Sequence, residues 1–351
     1  EQDRQAIIVL GMHRSGTSAL AGTLAKLGVR LPARLLAETE YNPKGYFEPE
    51  HIVAIHDRLL AAAGLSWSSI AGLPEAWYGS AEACAYAGEL AAAVREDYGD
   101  AALYVVKDPR MCRLMPLWRM VLDEVGAQSR FVIALRHPFE VARSLETRDG
   151  LPLAHGYLLW LCHMLAAERE TRGARRVFVH FDALLSDPTR VATDIVAQLV
   201  GDGLAPAEDS AREIAALVDS DLRHQIANAG ELHHSAALSP WLSDAYDALA
   251  ALVGRPTDTQ AMQELDKVGA ALNPAIALFA PLLAASGEKI AGLAKAAADK
   301  DARLLRHQDQ IAALSGAVAA LEGTVTELKT TVAAQAEQAA NLGRTIETYK
   351  T

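Results

Sequence analysis

Ile7-Ile8-Val9-Leu10-Gly11-Met12-His13-Arg14-Ser15-Gly16-Thr17-Ser18 is the stretch from which the fold can be read. Its first four residues are apolar and mostly β-branched, the pattern of a strand buried on both faces of a parallel sheet. Gly11 to Gly16 reads as a turn, and Thr17 onward reads as a helix that stops near Gly28. A strand, a glycine turn and a helix start together build an anion site, because free backbone N–H groups and the helix dipole point at one place. The spacing Gly11-x-x-x-x-Gly16 is that of a nucleotide phosphate loop, but Thr17 stands where that motif carries lysine. That lysine holds the β- and γ-phosphates of ATP or GTP, so its absence counts against an ordinary kinase or NTPase. A positive charge lies inside the loop instead, at Arg14, with His13 beside it.

The same grammar recurs downstream. Residues 102–106 read as a strand followed by Lys107-Asp108-Pro109-Arg110, residues 130–135 as a strand followed by Arg136-His137-Pro138, and residues 177–180 as a fourth strand leading into Phe181-Asp182. Helical patterns separate them over 82–98, 115–125, 139–148 and 154–172. Strands alternating with helices predict an α/β fold, a P-loop-type parallel sheet flanked by helices. In open sheets of this kind the ligand lies at the carboxyl ends of the strands, where all these polar clusters fall.

Arg14-Ser15-Gly16-Thr17-Ser18 after a buried strand resembles the 5′-phosphosulfate loop of the sulfotransferases that use 3′-phosphoadenosine-5′-phosphosulfate. A second signature of that family is a strand ending in Arg, then Pro, then a Ser eight residues after the Arg; Arg136, Pro138 and Ser144 fit it. Further segments resemble bacterial members of the family: Asn42-Pro43-Lys44-Gly45-Tyr46-Phe47-Glu48, Lys107-Asp108-Pro109-Arg110, Phe181-Asp182 with Leu184 and Asp187-Pro188, and the basic element Leu222-Arg223-His224. The resemblance covers roughly residues 6 to 230 and leaves the C-terminal third unexplained.

What the resemblance implies is a sulfotransferase with 3′-phosphoadenosine-5′-phosphosulfate as co-substrate and no metal. Ser15, Gly16, Thr17 and Ser18, with His13 alongside, are expected to hold the 5′-phosphate. Arg14 is expected against the bridging oxygen and the sulfuryl group. Arg136 and Ser144 would take the 3′-phosphate through charge-assisted and hydroxyl contacts. The acceptor hydroxyl needs a base. Glu48 is the first choice because related enzymes draw a Glu from this part of the chain, and His51 and His56 compete because cytosolic relatives use a His. Lys107, Arg110 and Arg223 are further candidates for binding phosphate or an anionic acceptor, with Asp108 orienting one of them. The acceptor stays open between a glycan hydroxyl, a lipid and a small metabolite, with the bacterial resemblance leaning towards carbohydrate. Tyr46, Phe47, Trp67, Trp77, Tyr78, Trp118 and Trp160 are available to line an acceptor cleft, with core packing the use expected of most of them. Two rival readings remain: a P-loop small-molecule kinase, and a non-catalytic coiled-coil scaffold with a degenerate nucleotide fold.

After about Gly203 the strand patterns stop. Residues 206 to 285 are Ala-rich and helical in pattern, with Pro240, Pro256, Pro274 and Pro281 expected as breaks. A heptad repeat follows, with Ile311, Val318, Val325, Val332, Ala339 and Ile346 at a and Leu314, Leu321, Leu328, Gln335 and Leu342 at d. Ile290, Leu293, Ala297 and Leu304 continue it upstream. β-branched residues at a with Leu at d favour a parallel dimer, so a homodimer through a coiled coil is expected. Gly292, Gly316, Gly323 and Gly343 weaken that helix. The expected division is 1–230 for the α/β domain, 231–289 for a helical linker region and 290–351 for the coiled coil.

The chain of 351 residues carries a formal net charge of −11, which disfavours a general nucleic-acid binder but leaves a local basic pocket possible, since pocket potential is set locally. Cys84, Cys112 and Cys162 have neither metal-ligand spacing nor a paired framework and read as buried small hydrophobes of a reducing compartment. No signal peptide is expected at the charged start Glu1–Gln5. No apolar stretch is expected to span a membrane; Tyr157 to Ala167 comes closest and reads as a buried helix. A cytoplasmic location is expected.

Overall fold

The computed structural model describes residues 4–39, 42, 44–201, 208–218 and 240–348. Four strands form one parallel sheet: β1 (Arg4–Leu10), β2 (Leu103–Lys107), β3 (Ala127–Leu135) and β4 (Arg176–His180), in the order β2-β1-β3-β4. The register sets Ile8 beside Val106 on one side and Phe131 on the other. Alternate residues of each strand enter opposite layers. Ala6, Ile8 and Leu10 join Tyr104, Val106 and Ile133 on one face, while Ile7 and Val9 join Val105, Val132 and Ala134 on the other. Both faces are covered, so the buried part of each strand reads as an apolar run rather than an alternating one.

The helices are α1 (Thr17–Lys26), α2 (Glu50–Ala62), α3 (Ala81–Tyr98), α4 (Met111–Glu124), α5 (Pro138–Asp149), α6 (Leu153–Glu170), α7 (Phe181–Ser186), α8 (Pro188–Leu199), α9 (Glu208–Leu217), α10 (Pro240–Leu252) and α11 (Thr259–Thr348). Local signals fix many of their ends. Ser80 caps α3 by accepting the Ala83 N–H at 3.1 Å, Asp187 caps α8 by accepting the Arg190 N–H at 3.0 Å, and Pro138 and Pro188 stand in first turns, where no N–H is missed. α4 begins at Met111, before the expected 115, and carries Pro116 inside it. The chain leaves β1 towards β2 on one side and crosses back to β3 on the other. The sheet order therefore reverses between β1 and β3, and the loops at their carboxyl ends open a crevice there.

Of the four C-terminal prolines expected as breaks, Pro256 lies in the turn between α10 and α11 as expected. Pro240 opens α10, whereas Pro274 and Pro281 lie inside α11 and do not break it. Leu242, Leu249, Leu252, Leu265 and Leu272 are buried in the same layer as α6, so residues 240–272 complete the core of the α/β unit. Arg176 secures the junction, donating to Glu168 at 3.1 Å and to the Pro256 carbonyl at 2.8 Å. Two compact units result, Glu1–Pro281 and Leu282–Thr351. In the second, the helix runs to Thr348 with its Ile, Leu and Val side chains exposed. By length and composition alone, Thr259–Gly287 and Lys295–Thr348 are long and apolar enough to cross a membrane. The burial expected of all three cysteines is corrected. Of the cysteines, Cys112 is buried, Cys162 is half-buried and Cys84 is exposed.

Candidate functional site

The turn after β1 is held from below. The Gly11 N–H donates to the buried Cys112 Sγ at 3.1 Å, and the Ser15 N–H donates to the Met12 carbonyl at 3.1 Å. Arg14 and Gly16 both have left-handed backbones, with φ of 69° and 87°. Gly16 is required twice over, because a Cβ there would also overlap the Phe181 ring. α1 then starts at Thr17 with no side-chain cap and no acidic residue in its first turn. Its first N–H groups lack intrahelical acceptors, and the positive end of the dipole faces the crevice. Ser15 Oγ and His13 Nε2 are buried without a hydrogen-bond partner.

Cations gather around this helix start. His13, Arg14, Thr17, Ser18, Lys107 and Arg136 line a cavity of about 90 Å³, together with Tyr46, Glu48, Arg148 and Phe181. Arg14 Nε donates to Ser144 Oγ at 2.8 Å, so residues expected at opposite ends of one ligand touch directly. Arg136 is buried. It donates to Glu140 at 2.9 Å and to the Arg14 carbonyl at 2.9 Å, and its guanidinium lies 4.3 Å from the centre of the Phe181 ring. It thereby braces the strained backbone of Arg14. Burial, then the like charges of Arg148 and Arg136, lower the pKa of Arg14. A desolvated cation among cations is a site that gains from an anion. A larger cleft of about 790 Å³ lies elsewhere, lined by Arg113, Arg119, Arg172 and Asp266 among others. Its arginines are engaged within the protein: Arg119 with Glu170 and Arg172 with Asp266 and Glu168.

Lys107 ends β2 and reaches the same helix start. Its Nζ donates to Ser18 Oγ at 3.2 Å, to the Tyr46 carbonyl at 3.0 Å and to Glu48 Oε1 at 2.5 Å. A lysine thus stands beside the loop after β1, supplied by the neighbouring strand rather than by the residue after Gly16. Glu48 is buried between Lys107 and Arg110, whose Nη1 lies 3.7 Å from Oε2. Burial raises its pKa, and the nearby Asp108 charge adds to this against the opposing pull of Lys107 and Arg110. Phe47 holds a left-handed backbone, φ 54°, with its ring against α1 at Gly22; this anchors Tyr46 and Glu48 over the loop.

The three histidines weighed for this site separate clearly. His51, in the first turn of α2, faces Arg34 at 3.4 Å and Glu96 at 3.5 Å, and it is not among the residues lining the loop cavity. His56 is fully buried: Trp118 Nε1–H donates to its Nε2 at 2.9 Å, which leaves Nδ1–H to donate to Asp108 Oδ2 at 2.7 Å. That pairing fixes a neutral tautomer with both nitrogens occupied, so His56 has no free lone pair for an incoming proton. His13 alone lines the cavity. Its pKa is held well below the usual value by burial, then by Arg110 and Arg148.

Asp108 orients Arg110 as expected, accepting from its backbone N–H at 3.0 Å and its Nη1 at 2.9 Å. Burial pushes the Asp108 carboxyl up, but Arg110 and His56 outweigh it and hold it well below the usual range. Arg223, with Leu222 and His224, lies outside the described residues, as does Pro43. Residues the sequence reading passed over include Arg148, at the end of α5, and Cys112, beneath Gly11. Trp67 contacts His13, ring centroids 4.7 Å apart, and lies 5.5 Å from the Arg148 guanidinium carbon. No local pattern marks Arg148 or Cys112 for this site; they arrive from α5 and α4. Trp118 and Trp160 are fully buried and belong to the core. Among the described residues no cluster of three or more His, Cys, Asp or Glu is arranged to hold a metal ion.

No protein-family model matches the chain, and no curated protein matches it. Solved structures similar to it include the sulfotransferase domain from the Synechococcus PCC 7002 olefin synthase, with a TM-score of 0.37 and 15% identity, covering 77% of this chain and 96% of that one. The sulfotransferase domain from the curacin biosynthetic pathway has a TM-score of 0.37 and 13% identity, covering 78% and 98%. A sulfotransferase from Alicyclobacillus acidocaldarius has a TM-score of 0.35 and 14% identity, covering 64% and 97%. The chain itself is an α/β protein whose parallel sheet, flanked by helices, opens at the ends of β1, β2 and β3 onto one basic, partly desolvated pocket.

Proposed function

We propose that this chain is a sulfotransferase that moves a sulfuryl group from 3′-phosphoadenosine-5′-phosphosulfate to an acceptor hydroxyl, with a carbohydrate as the favoured acceptor. The observation that carries the reading is the convergence of the uncapped α1 start, Arg14, Lys107 and the buried Glu48 on one pocket. In the reaction the acceptor oxygen attacks sulfur in line, and the bond from sulfur to the bridging oxygen breaks. Adenosine 3′,5′-bisphosphate leaves, and the acceptor proton passes to a base. As in phosphoryl transfer, the protein's main tasks are positioning and stabilisation of spreading negative charge.

The first-turn N–H groups of α1 and the hydroxyls of Thr17 and Ser18 bind the 5′-phosphate. Arg14 turns from Ser144 towards the bridging oxygen, and the Ser144 hydroxyl, released from that contact, takes the 3′-phosphate with Arg136 behind the loop. Lys107 holds one oxygen of Glu48, and the other accepts the acceptor's proton. Adenosine 3′,5′-bisphosphate is expected to raise the thermal midpoint of the protein, since a ligand bound only by the native state stabilises it. Arg14→Ala is expected to weaken that binding roughly 10–150-fold, the worth of one charge-assisted contact of about 1.5–3 kcal/mol. Because Lys107 brings a lysine to the loop, ATP with Mg²⁺ is the informative control. Stabilisation by ATP–Mg²⁺ alone would sink the proposal in favour of a kinase.

A further inference from the structure

Between Ile290 and Ile346, the described Ile, Leu and Val side chains form a single stripe. Twelve of them occupy the a and d positions of the heptad and are 47–66% exposed; Leu305 alone lies off the stripe. A solvated helix has no reason to collect its apolar residues this way. The glycines avoid the stripe, with Gly316 and Gly323 on the opposite face at f. We infer that this stripe is covered by a second copy of the same chain, in a parallel, in-register, two-stranded coiled coil.

Of the polar residues in the seam, Gln335 decides the orientation; Lys300 meets its own copy in a parallel pair and carries its charge out to solvent on its long stem. Lys300, His307 and Gln335 occupy d positions, whereas every a position from Ile290 to Ile346 is Ile, Leu, Val or Ala. In an antiparallel pair, a layers meet d layers, so Gln335 would be buried against an apolar side chain with its amide unpaired. Sliding a parallel pair by one heptad sets Gln335 against Leu328 or Leu342, with the same penalty. Only the parallel, in-register pairing puts each Gln335 beside its own copy, where the two amides hydrogen-bond. The flanks agree: in that pairing g faces the following e of the other chain, as in Arg303 with Gln308, Ala317 with Glu322 and Thr324 with Lys329. No such pair from Arg303 to Gly343 sets two like charges together.

β-branched Ile311, Val318, Val325 and Val332 at a, with Leu314, Leu321 and Leu328 at d, select two strands. Burying such a side chain removes roughly 60–120 Å² from water. Twelve per chain over two chains give roughly 1,400–2,900 Å², against the roughly 1,200 Å² that stable interfaces start from. A lipid bilayer is the rival occupant. However, any span of about 20 residues containing Gln310 to Leu321 would carry Asp309 or Glu322 into the bilayer, where a charge is costly.

The test uses the full chain in light scattering at micromolar concentration. A mass of twice the 37.5 kDa chain is expected, and a monomer, trimer or tetramer would overturn the inference. Leu321→Asp with Leu328→Asp is expected to halve that mass while leaving the thermal transition of the α/β unit unchanged; a variant that stays dimeric counts against the seam. For orientation, Ala339→Cys in a Cys84→Ala background, which removes the exposed native thiol, is expected to form an interchain disulfide on oxidation. Failure of the dimer to cross-link refutes the parallel register. Co-sedimentation of the wild-type chain with neutral or anionic vesicles, lost in the Leu321→Asp, Leu328→Asp variant, would reassign the stripe to a membrane.

Discussion

Glu48 shows how one side chain acquires a role from its surroundings. It sits on a short segment whose backbone is strained at Phe47, buried beside Lys107 and under the influence of Asp108. Burial favours its neutral form, so the acid limb of kcat/KM for sulfuryl transfer is expected above the ordinary carboxylate range. Glu48→Gln is expected to reduce turnover by about 10²–10⁴-fold and to erase that limb in a pH–rate profile. If turnover survives, Glu48 is not the base. His163 makes a separate prediction. Burial, then Arg113, lowers its pKa to about 3 from 6.5, so the folded state binds fewer protons than the unfolded chain. Its contribution to stability is present above pH 6.5 and is lost as pH falls towards 3. His13 acts in the same direction. His163→Leu is expected to remove one proton's share of the slope of unfolding free energy, about 1.4 kcal/mol per pH unit, measured by urea unfolding between pH 6 and pH 4.

At the scale of elements, the site depends on α1 meeting the crevice with a bare, positive end. Gly16 makes that possible, since its left-handed backbone turns the chain from β1 into α1 and leaves room for Phe181 at the start of α7. Gly16→Ala adds a left-handed penalty of about 1–2 kcal/mol to a steric clash of about 1–3 kcal/mol. It is expected to lower the thermal midpoint and to abolish binding of adenosine 3′,5′-bisphosphate, as followed by calorimetry. Retention of wild-type binding would show that the loop geometry is not required. The strand–loop–helix unit was legible in advance because it is continuous in the chain: apolar run, glycines, then helix formers. In α10 and α11 the helical pattern was legible, but not where each helix begins and ends. Whether Pro274 bends, breaks or sits quietly in a helix depends on neighbours such as Leu265 and Leu272, which the domain core fixes in place.

For the whole molecule, two units of different character predict two kinds of unfolding. The transition of the Glu1–Pro281 unit is expected to be independent of protein concentration. The transition of Leu282–Thr351 is expected to rise with it if, as inferred, its apolar stripe is buried between copies. Circular dichroism melts over a hundredfold range of concentration separate the two, and a single transition that does not move would contradict the division. The net charge of −11 coexists with a pocket lined by Arg14, Lys107, Arg136 and Arg148, because local placement and not the total sets a pocket's potential.

The sequence by itself determined the parallel α/β sheet, the glycine turn from β1 into α1 and the heptad register, since each is written in neighbouring residues whose periodicity or turn chemistry needs no distant partner. Only the tertiary structure decided which polar side chains work together. It joined Lys107 to Glu48 and Ser18, tied Arg14 to Ser144, closed His56 between Trp118 and Asp108, and left His51 on the surface. Those pairings cross long stretches of chain, and the order of strands in the sheet sets them.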